Sequence, residues 1–407
     1  MPAISTAVSL PVRRTRVGDV VNALADLTVV SLEQAVAAPF ATRQLADLGA
    51  RVIKIERPGA GDFARHYDTA VHGTSSYFAW LNRGKQSAAL DVKQPEDLAM
   101  VTRMIAHADI FVQNLAPGAA ARLGLDADTL RADHPDLIAC SISGYGPGGP
   151  YSGKKAYDLL VQCETGLLSV TGTAEDPVKV GISIADIATG MYAFSGILTA
   201  LYERQRTGDG TALEVAMIDA LGEWMSQPYL YSEYAGAPLP RTGPRHFSIA
   251  PYGPYRTGGN ATVFIGVQND REWAVFCERV LVNPALASDE RFVTNSERVA
   301  HNAQLTQLIE EALAQYDADE VTAALEEIGI ANARLRTMGE FAHHPQLVAR
   351  DRWRTVESAG GPVRSLLPPV VVEGREAVMG GIPVLGQHTA DLREEFAVTE
   401  PVPTADR

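Results

Sequence analysis

The amino-acid sequence predicts an α/β fold, with a large domain built on a mainly parallel sheet and a smaller α+β domain. From Leu27 to Ser143, short runs rich in β-branched residues alternate with longer helical patterns. After Trp224 the composition changes, and Pro, Tyr and Gly are frequent up to Gly259. The chain has 407 residues, of which 46% are hydrophobic. That is enough apolar material for more than one buried core.

The alternating part of the chain gives the large domain its predicted elements. The predicted strands are 27–32, 51–55, 87–92, 109–115 and 137–143, and the predicted helices are 39–48, 95–107 and 126–133. Pro39 in the first turn of the first helix and Gly49 after its end match the usual preferences at helix termini. Strands joined by helices at this spacing favour right-handed crossovers and a Rossmann-like, mainly parallel sheet.

The remaining elements set the predicted domain boundaries. They are a long apolar helix at 187–206, a strand at 261–267, helices at 270–279 (with Asp270 as the cap), 302–315 and 319–328, and a strand at 368–372. We expect a flexible tail over 1–20, the first part of the large domain over 21–224, the small α+β domain over 225–330, and a return to the large domain over 331–407.

Composition excludes several classes of function. The chain has 35 basic and 49 acidic residues, a formal charge of −14, so nucleic acid is an unfavourable partner. No run approaches the ~18 apolar residues of a membrane helix. At the N-terminus the apolar run precedes Arg13, Arg14 and Arg16, which is the reverse of a secretory signal. Three scattered cysteines without a CxxC pair indicate a reducing compartment, and we expect a cytoplasmic protein.

Common cofactor motifs are missing from the sequence. It contains no GxxxxGK[ST], and no GxGxxG follows the first predicted strand. The adjacent pair His343 and His344 has a spacing that does not suit one metal site on a helix, and no cysteine or histidine cluster accompanies it. The glycine-rich segment 144–150 is more typical of a turn than of a phosphate-binding loop. We therefore expect no metal site.

Several longer segments carry a specific signal together. They are AAPFATRQLADLGARVIKIERPGAGDFAR (37–65), LNRGKQSAALD (81–91), FVQNLAPG (111–118), SGYGPGGPYSGKKAYD (143–158), ADIATGMYAFSGILTALYERQRTGDG (185–210) and, more weakly, PVLGQHTAD (383–391). In this order they closely resemble the family III coenzyme A transferases, which include formyl-CoA transferase and carnitine CoA-transferase. The resemblance runs from about Leu27 to Leu221 and covers most of the chain.

The resemblance implies roles for individual residues. The nucleophile of the family is an aspartate just before a TG-containing helix, and Asp186 occupies that position. By the same resemblance the CoA nucleotide contacts are Arg57, Asn114 and Arg122, the adenine pocket is lined by Val36 and Leu90, Lys155 contacts a phosphate or the pantetheine, and Tyr157 and Asp158 contact the substrate, with Asp158 beside the thioester. CoA is then a substrate, no other cofactor is implied, and an interlocked homodimer is expected.

The residues themselves agree with covalent chemistry at Asp186. A carboxylate that attacks a thioester forms an enzyme-bound anhydride, and the released CoA then converts this anhydride to an aspartyl-CoA thioester. Both intermediates retain the free energy of the donor thioester, so CoA can be transferred without hydrolysis. At a helix start, backbone N–H groups and the helix dipole keep a carboxylate ionised and can stabilise oxyanions.

Each residue also has a structural alternative. Asp186 can be a helix N-cap, Asn114 a turn residue at a strand end, and Asp158 a cap for the segment beginning at Leu159. Arg57 and Lys155 can be solvated charges, Tyr157 a packing residue, and Arg122 a partner for a carboxylate.

Two departures from related sequences narrow the predicted activity. Racemases of the same superfamily carry a histidine where this chain has Tyr157, and a phenol is a poor base near pH 7. The polyglycine run of formyl-CoA transferase is missing from 241–259, which disfavours oxalate and formate. Arg241, Arg245 and His246 in that segment suggest a pocket for a second carboxylate.

We therefore expect a CoA-transferase with succinyl-CoA as donor and a small dicarboxylate as acceptor. The alternatives are an α-methylacyl-CoA racemase-like isomerase and a catalytically silent acyl-CoA-binding protein.

Overall fold

The structure, a computed structural model, describes residues 22–397. The predicted tail over 1–20 lies outside the described residues. The chain divides into two compact units. Unit 1 contains the residues up to Gly153, Ile187–Ala216 and those from Trp353 onward, and unit 2 contains Lys154–Asp186 and Met217–Arg352.

The strands are β1 (Thr28–Leu32), β2 (Arg51–Glu56), β3 (Lys85–Ala89), β4 (Ile110–Gln113), β5 (Ile138–Ser143), β6 (Ala212–Ala216), β7 (Tyr252–Arg256), β8 (Thr262–Gly266), β9 (Ala331–Arg334), β10 (Trp353–Val356) and β11 (Val363–Leu366).

The α-helices are α1 (Ala37–Asp47), α2 (Ser76–Asn82), α3 (Pro95–Ala106), α4 (Ala119–Arg122), α5 (Ala127–Asp133), α6 (Asp158–Glu164), α7 (Leu167–Val170), α8 (Ile184–Thr207), α9 (Met217–Trp224), α10 (Ser226–Ala235), α11 (Asp270–Arg279), α12 (Asn295–Ala300), α13 (Asn302–Leu313), α14 (Ala318–Glu327), α15 (Met338–Ala342), α16 (Pro345–Ala349) and α17 (Thr389–Glu395). Short 3₁₀ turns cover Phe63–His66, Gly258–Asn260 and Pro284–Ser288.

Unit 1 is built on a six-stranded sheet in the order β3-β2-β1-β4-β5-β6. Every neighbouring pair in this sheet is parallel. The predicted Rossmann-like parallel sheet is therefore confirmed. The first three strands extend the sheet from β1 to β3 in one direction. The chain then returns to the other side of β1, and β4 to β6 extend the sheet in the opposite direction. The topological switch point therefore lies between β1 and β4.

The sheet of unit 1 is buried on both faces. Successive residues of β1 point to opposite sides, so Val29 packs in one core cluster and Val30 in another. The first cluster includes residues of α1 and α8, and the second includes residues of α3 and α17. Gly190 on α8 permits a close approach to α1, because a Cβ at this position would lie 2.6 Å from the carbonyl oxygen of Ala37.

Among residues 22–397, α8 alone is long and apolar enough to cross a membrane, with a mean hydropathy of 1.4. Ala193, Ile197 and Ala200 of this helix are buried in the first core cluster of unit 1. Its apolar composition is thus explained by packing, and we interpret α8 as a core helix.

Unit 2 combines a three-stranded antiparallel sheet, in the order β7-β8-β9, with helices. Its main core contains Trp273, Phe276 and Leu305. A second cluster contains Val161, Ala185, and, from α9, Met217 and Leu221. The smaller α+β part of the predicted fold is present.

The boundaries of the units differ from the predicted boundaries at 225 and 331. Ala331–Arg334 forms β9 and pairs with β8, so this segment belongs to unit 2 and the chain returns to unit 1 only at Trp353. Residues 154–186 also belong to unit 2. Strand pairing with β8 decides the first assignment, and the packing of Val161 and Ala185 against residues of α9 accompanies the second. Local sequence patterns do not report such contacts between distant segments.

Two local predictions are wrong. The cap of α11 is Asn269, whose side chain accepts from the N–H of Glu272, while Asp270 is the first helical residue. The predicted strand at 368–372 is irregular. Pro368 and Pro369 have no backbone N–H to donate to a neighbouring strand, and Val370 is 73% exposed.

Candidate active site

Four of the predicted CoA-binding residues follow four adjacent strands of unit 1. Val36, Arg57, Leu90 and Asn114 come after the ends of β1, β2, β3 and β4. The carboxyl ends of parallel strands share one edge of the sheet, so the strands deliver these positions to the same edge. Ligands of open α/β sheets bind at this edge, beside the switch point.

Gln34 is the central residue at the switch point, and the sequence alone did not indicate it. The Asn114 side chain brackets its backbone: Oδ1 accepts from the Gln34 N–H at 2.9 Å, and Nδ2 donates to the Gln34 carbonyl at 2.8 Å. The Gln34 Oε1 lies 3.5 Å from Nη2 of Arg57, which is exposed. Gln34, Arg57 and Asn114 therefore form one polar group at this edge.

The turn after Gln34 is held in an unusual conformation. Ala35 has φ 61°, a left-handed value that alanine rarely adopts. The Asp62 carboxylate fixes this turn, because its Oδ1 accepts from the N–H of Ala35 at 3.0 Å and from that of Ala64 at 2.9 Å. Its Oδ2 accepts from Nζ of Lys54 at 2.7 Å. The edge of the sheet is thus preorganised by a buried carboxylate.

An ionic cluster lies behind this turn, and its charged side chains are completely buried. Lys85 Nζ donates to Glu33 Oε1 at 2.6 Å, and Lys54 Nζ lies 3.5 Å from the same oxygen. Thr42 donates to the other Glu33 oxygen at 2.6 Å. The one sequence signal for this cluster is the lysine in the otherwise apolar run RVIK of β2.

The ionic cluster reverses the effect of burial on the pKa values of Glu33 and Lys54, but not on that of Lys85. Burial acts to raise the pKa of Glu33, but the charges of Lys85 and Lys54 outweigh it and the pKa is lowered. Burial lowers the pKa of Lys85 to about 7, with Lys54 acting in the same direction and Glu33 against it. The pKa of Lys54 is raised, because three carboxylates (Asp62, Glu33 and Glu56) overcome its burial.

The other predicted nucleotide residues are placed differently. Val36 and Leu90 are 2% and 1% exposed, so both side chains lie in the interior of unit 1. Their assignment to an adenine pocket stays a prediction. Arg122 is exposed at the end of the short helix α4.

In unit 2, Asp186 lies in the first turn of α8, and its side chain is half-buried. The adjoining Asp158 supports this helix start. Asp158 Oδ1 accepts from the N–H of Ala185 at 2.8 Å and from that of Asp186 at 3.4 Å. Two of the N–H groups expected to stabilise an oxyanion are therefore bonded to a second carboxylate.

The structural alternative for Asp158, a cap on its own helix, is wrong. Asp158 is the first residue of α6, whose N-cap position is held by Tyr157 without a capping side-chain bond. Asp158 instead caps the start of α8. Tyr157 is 61% exposed, and Lys155 is exposed as well. The substrate contacts proposed for these residues stay predictions.

Comparison with known proteins decides the family. Residues 24–389 match the model of CoA-transferase family III. The chain belongs to this family. It is 36% identical over 92% of its length to the acetyl-CoA:oxalate CoA-transferase of Acetobacter aceti, covering 96% of that protein. It is 32% identical over 93% of its length to the succinate–glutarate CoA-transferase of Agrobacterium fabrum, again covering 96% of the relative.

The fold is similar to that of a solved CAIB/BAIF family protein. The crystal structure of a CAIB/BAIF family protein from Brucella suis superposes with a TM-score of 0.83 at 33% identity, over 92% of this chain and 99% of that one. The family match and the named relatives together show that the chain is a CoA-transferase, whose substrates are acyl-CoA esters and carboxylic acids.

The side chains of the segment 241–246 make contacts within unit 2 of the transferase. Arg241 donates through Nε to the carbonyl of Thr173 at 2.7 Å and through Nη2 to that of Ala174 at 2.8 Å. Arg245 donates to a backbone carbonyl and lies over the ring of Tyr255, 5.1 Å from its centroid. His246 stacks on Tyr252. These side chains hold unit 2 together, so they give no support to a second-carboxylate pocket.

Two further features concern cofactors and redox chemistry. Within residues 22–397 no group of three or more His, Cys, Asp or Glu side chains is arranged to hold a metal ion. Cys140 and Cys277 are buried free thiols, and Cys163 is an exposed one. Burial raises the pKa of Cys140 to about 12, which leaves that thiol unreactive at neutral pH.

Proposed function

We propose that the transferase moves CoA from succinyl-CoA to a small dicarboxylate, with Asp186 as the covalent nucleophile. The observation that carries this proposal is the position of Asp186, in the first turn of a helix whose start is held by Asp158. CoA acts as a substrate, and no metal or redox cofactor is required.

The proposed reaction runs through enzyme-bound acyl groups. A carboxylate oxygen of Asp186 attacks the carbonyl carbon of the donor thioester. The C–S bond breaks, CoA leaves as a thiolate, and the donor acyl group stays joined to Asp186 as a mixed anhydride. The thiolate attacks the aspartyl carbonyl carbon and displaces the donor acid as its carboxylate. The acceptor carboxylate attacks the resulting aspartyl-CoA thioester and releases the thiolate again. Attack of that thiolate on the acceptor's acyl carbon forms the product and regenerates Asp186, without net proton transfer.

The choice of acids is supported by the reactions after which the relatives are named. Oxalate, glutarate and succinate are all dicarboxylic acids, and succinate is named as a partner in one of these reactions. The missing polyglycine segment disfavoured oxalate, but the relative named for oxalate is 36% identical. Oxalate should therefore be tested as an acceptor together with glutarate and mesaconate.

For the CoA moiety we propose the carboxyl edge of unit 1. Arg57, Asn114 and Arg122 would contact the nucleotide phosphates and sugar, and Val36 and Leu90 would shape the adenine site from beneath. In unit 2, Lys155 would contact a phosphate or the pantetheine, and Tyr157 and Asp158 would lie on the substrate side. The polar group around Gln34 and the preorganised turn at Ala35 support this placement.

We also propose an interlocked homodimer in the cytoplasm. Residues 367–388 contain neither helix nor strand, and long connections of this kind suit chains that thread through one another. Three free cysteines suit a reducing compartment. Light scattering of the purified protein gives the molar mass that tests the dimer.

Asp186→Ala is the direct test of the chemistry. The variant should lose transfer by several orders of magnitude and still bind CoA. With wild-type enzyme, an acyl-CoA and hydroxylamine, peptide mass spectrometry should find the hydroxamate on Asp186. Asp209→Ala, an exposed aspartate beyond the other end of α8, is the matched control and should keep full activity. Normal turnover by Asp186→Ala would contradict the mechanism.

A further inference from the structure

Gln162 on α6 is a completely buried amide whose two ends are both hydrogen-bonded. Its Oε1 accepts from the N–H of Val180 at 3.0 Å, and its Nε2 donates to Oδ2 of Asp158 at 2.7 Å. A carboxylate only accepts hydrogen bonds, and the backbone N–H only donates, so the amide can bridge them in one orientation.

Asp158 continues the connection to the nucleophile. Its Oδ2 is bonded to Gln162, and its Oδ1 accepts from the peptide N–H groups of Ala185 and Asp186. The backbone of Asp186 is thus joined to that of Val180 through two side chains. All members of this chain of bonds belong to unit 2.

The far end of the connection is itself anchored. Gly172 and Pro177 form an isolated bridge that closes the loop before Val180. Arg241 donates to two carbonyls of this loop, and the N–H of Gly243 donates to the carbonyl of Gly172 at 2.8 Å. The loop therefore provides a fixed point from which Gln162 and Asp158 can hold the start of α8.

We infer that Gln162 and Asp158 form a positioning pair, which sets the direction of the Asp186 carboxylate for attack on the thioester. The inference rests on the proposed role of Asp186. A nucleophile must be held within about 0.5 Å of its productive position, so loss of this pair should reduce kcat. The effect acts through the backbone of Asp186 and is separate from the substrate contact proposed for Asp158. Gln162 is completely buried, so its variants should change the KM for the acyl-CoA little.

Exchanging the donor and the acceptor tests the pair directly. Gln162→Glu places a carboxylate against the Asp158 carboxylate, and Asp158→Asn places an amide against the Gln162 amide. Each single variant should lose about 10- to 100-fold in kcat at pH 7.5, the cost of an unmet charge-assisted hydrogen bond. The rate of hydroxylamine trapping at Asp186 should fall in parallel.

The double variant Gln162→Glu/Asp158→Asn should recover most of the lost kcat. The new carboxylate at 162 accepts from Val180 and from the new amide at 158, whose oxygen accepts from Ala185 and Asp186. The bonds and the net charge are then both preserved. A residue that only filled space would show additive losses instead of rescue. Cys163→Glu, which adds a charge on the exposed side of α6, is the control for charge alone and should leave kcat unchanged.

A pH profile supplies a second readout. In Gln162→Glu the two facing carboxylates can share one proton, so kcat should recover partly as the pH falls toward 5. If Gln162→Glu does not fold, Asp158→Asn alone must show the kcat loss and the parallel fall in the rate of hydroxylamine trapping. Wild-type kcat in the folded single variants, or no rescue in a folded double variant, overturns the inference. Because trapping at wild-type Asp186 is measured separately, either result leaves the proposed nucleophile standing.

Discussion

The carboxyl edge of unit 1 and the start of α8 are both held by buried side chains, but the two supports differ in kind. Behind the edge of unit 1, the support is an ionic cluster of Glu33, Lys54 and Lys85, whose side chains have no exposure to solvent. Behind Asp186, a neutral amide on Gln162 connects one carboxylate to the backbone. A buried charge that loses its partner is far more costly than a buried amide that loses one bond. Damage to the first support should therefore appear in stability, and damage to the second in rate.

Glu33→Gln should produce the largest loss of stability in this comparison. It leaves the completely buried Lys85 and Lys54 with one carboxylate fewer. Breaking a buried ion pair from one side costs about 3–5 kcal/mol in free energy of unfolding. Urea denaturation measures this loss. Glu327→Gln removes the carboxylate of the exposed pair with Arg279 and should give no measurable change. Equal small effects of both variants would remove the distinction between the two supports.

Arg57→Ala should act on binding at the edge of unit 1 without large loss of stability. Arg57 is exposed, and its proposed partner is a phosphate of CoA. Loss of one charge-assisted contact should raise the KM for the acyl-CoA about 10- to 100-fold and leave kcat nearly unchanged. Steady-state kinetics with an acyl-pantetheine, which lacks the nucleotide, should show no difference from wild type. Equal damage with the truncated ester would place Arg57 outside the nucleotide site.

Tyr157→Phe tests the substrate side of unit 2 by deleting one hydroxyl. If that hydroxyl donates to the acceptor carboxylate or to the thioester oxygen, kcat/KM should fall by roughly one to two powers of ten. An unchanged Phe variant would mark the exposed ring as a packing residue.

In deuterated water the wild-type enzyme should leave the α-carbon of 2-methylacyl-CoA unlabelled, because a phenol is a poor base near pH 7. Rapid α-deuteration would favour the isomerase.

Local sequence patterns predicted the parallel sheet and the place of Asp186 at a helix start, because periodicity and helix-end residues act over a few positions. They did not predict the return of the chain at Trp353, which depends on β9 pairing with β8. The bonds of Arg241 to the carbonyls of Thr173 and Ala174 could not be predicted either, because these partners lie 68 and 67 positions away. A side chain's chemistry is evident in the sequence, but its partner is supplied by the fold.

The same reason explains why both supports were missed. Gln162 lies between Val161 and Cys163 in α6, and nothing nearby in sequence indicates its bond to Val180, 18 positions later. Lys85 meets Glu33 across 52 positions. A lysine within an apolar strand, as Lys54 is, signals a buried partner of opposite charge, but it does not say which residue supplies it.

The pH dependence of stability sharpens the comparison on a smaller scale. Burial lowers the pKa of Lys85 to about 7, whereas a lysine in the unfolded chain titrates near 10.4. Between these values the unfolded chain holds a proton that the folded chain lacks, so stability should rise with pH, by about 1.4 kcal/mol per pH unit for one group. Glu33, with its lowered pKa, stays ionised throughout this window and adds no slope.

Lys85→Met removes the titrating group while Lys54 and Thr42 still hold Glu33. The free energy of unfolding of the wild type minus that of Lys85→Met should increase from pH 7.5 to 9.5. The raised pKa values of Cys140 and Tyr255 act in the opposite direction at high pH, but they are common to both proteins and cancel in the difference. A constant difference across this range would mean that Lys85 stays protonated in the folded protein, and that burial in the ionic cluster does not lower its pKa.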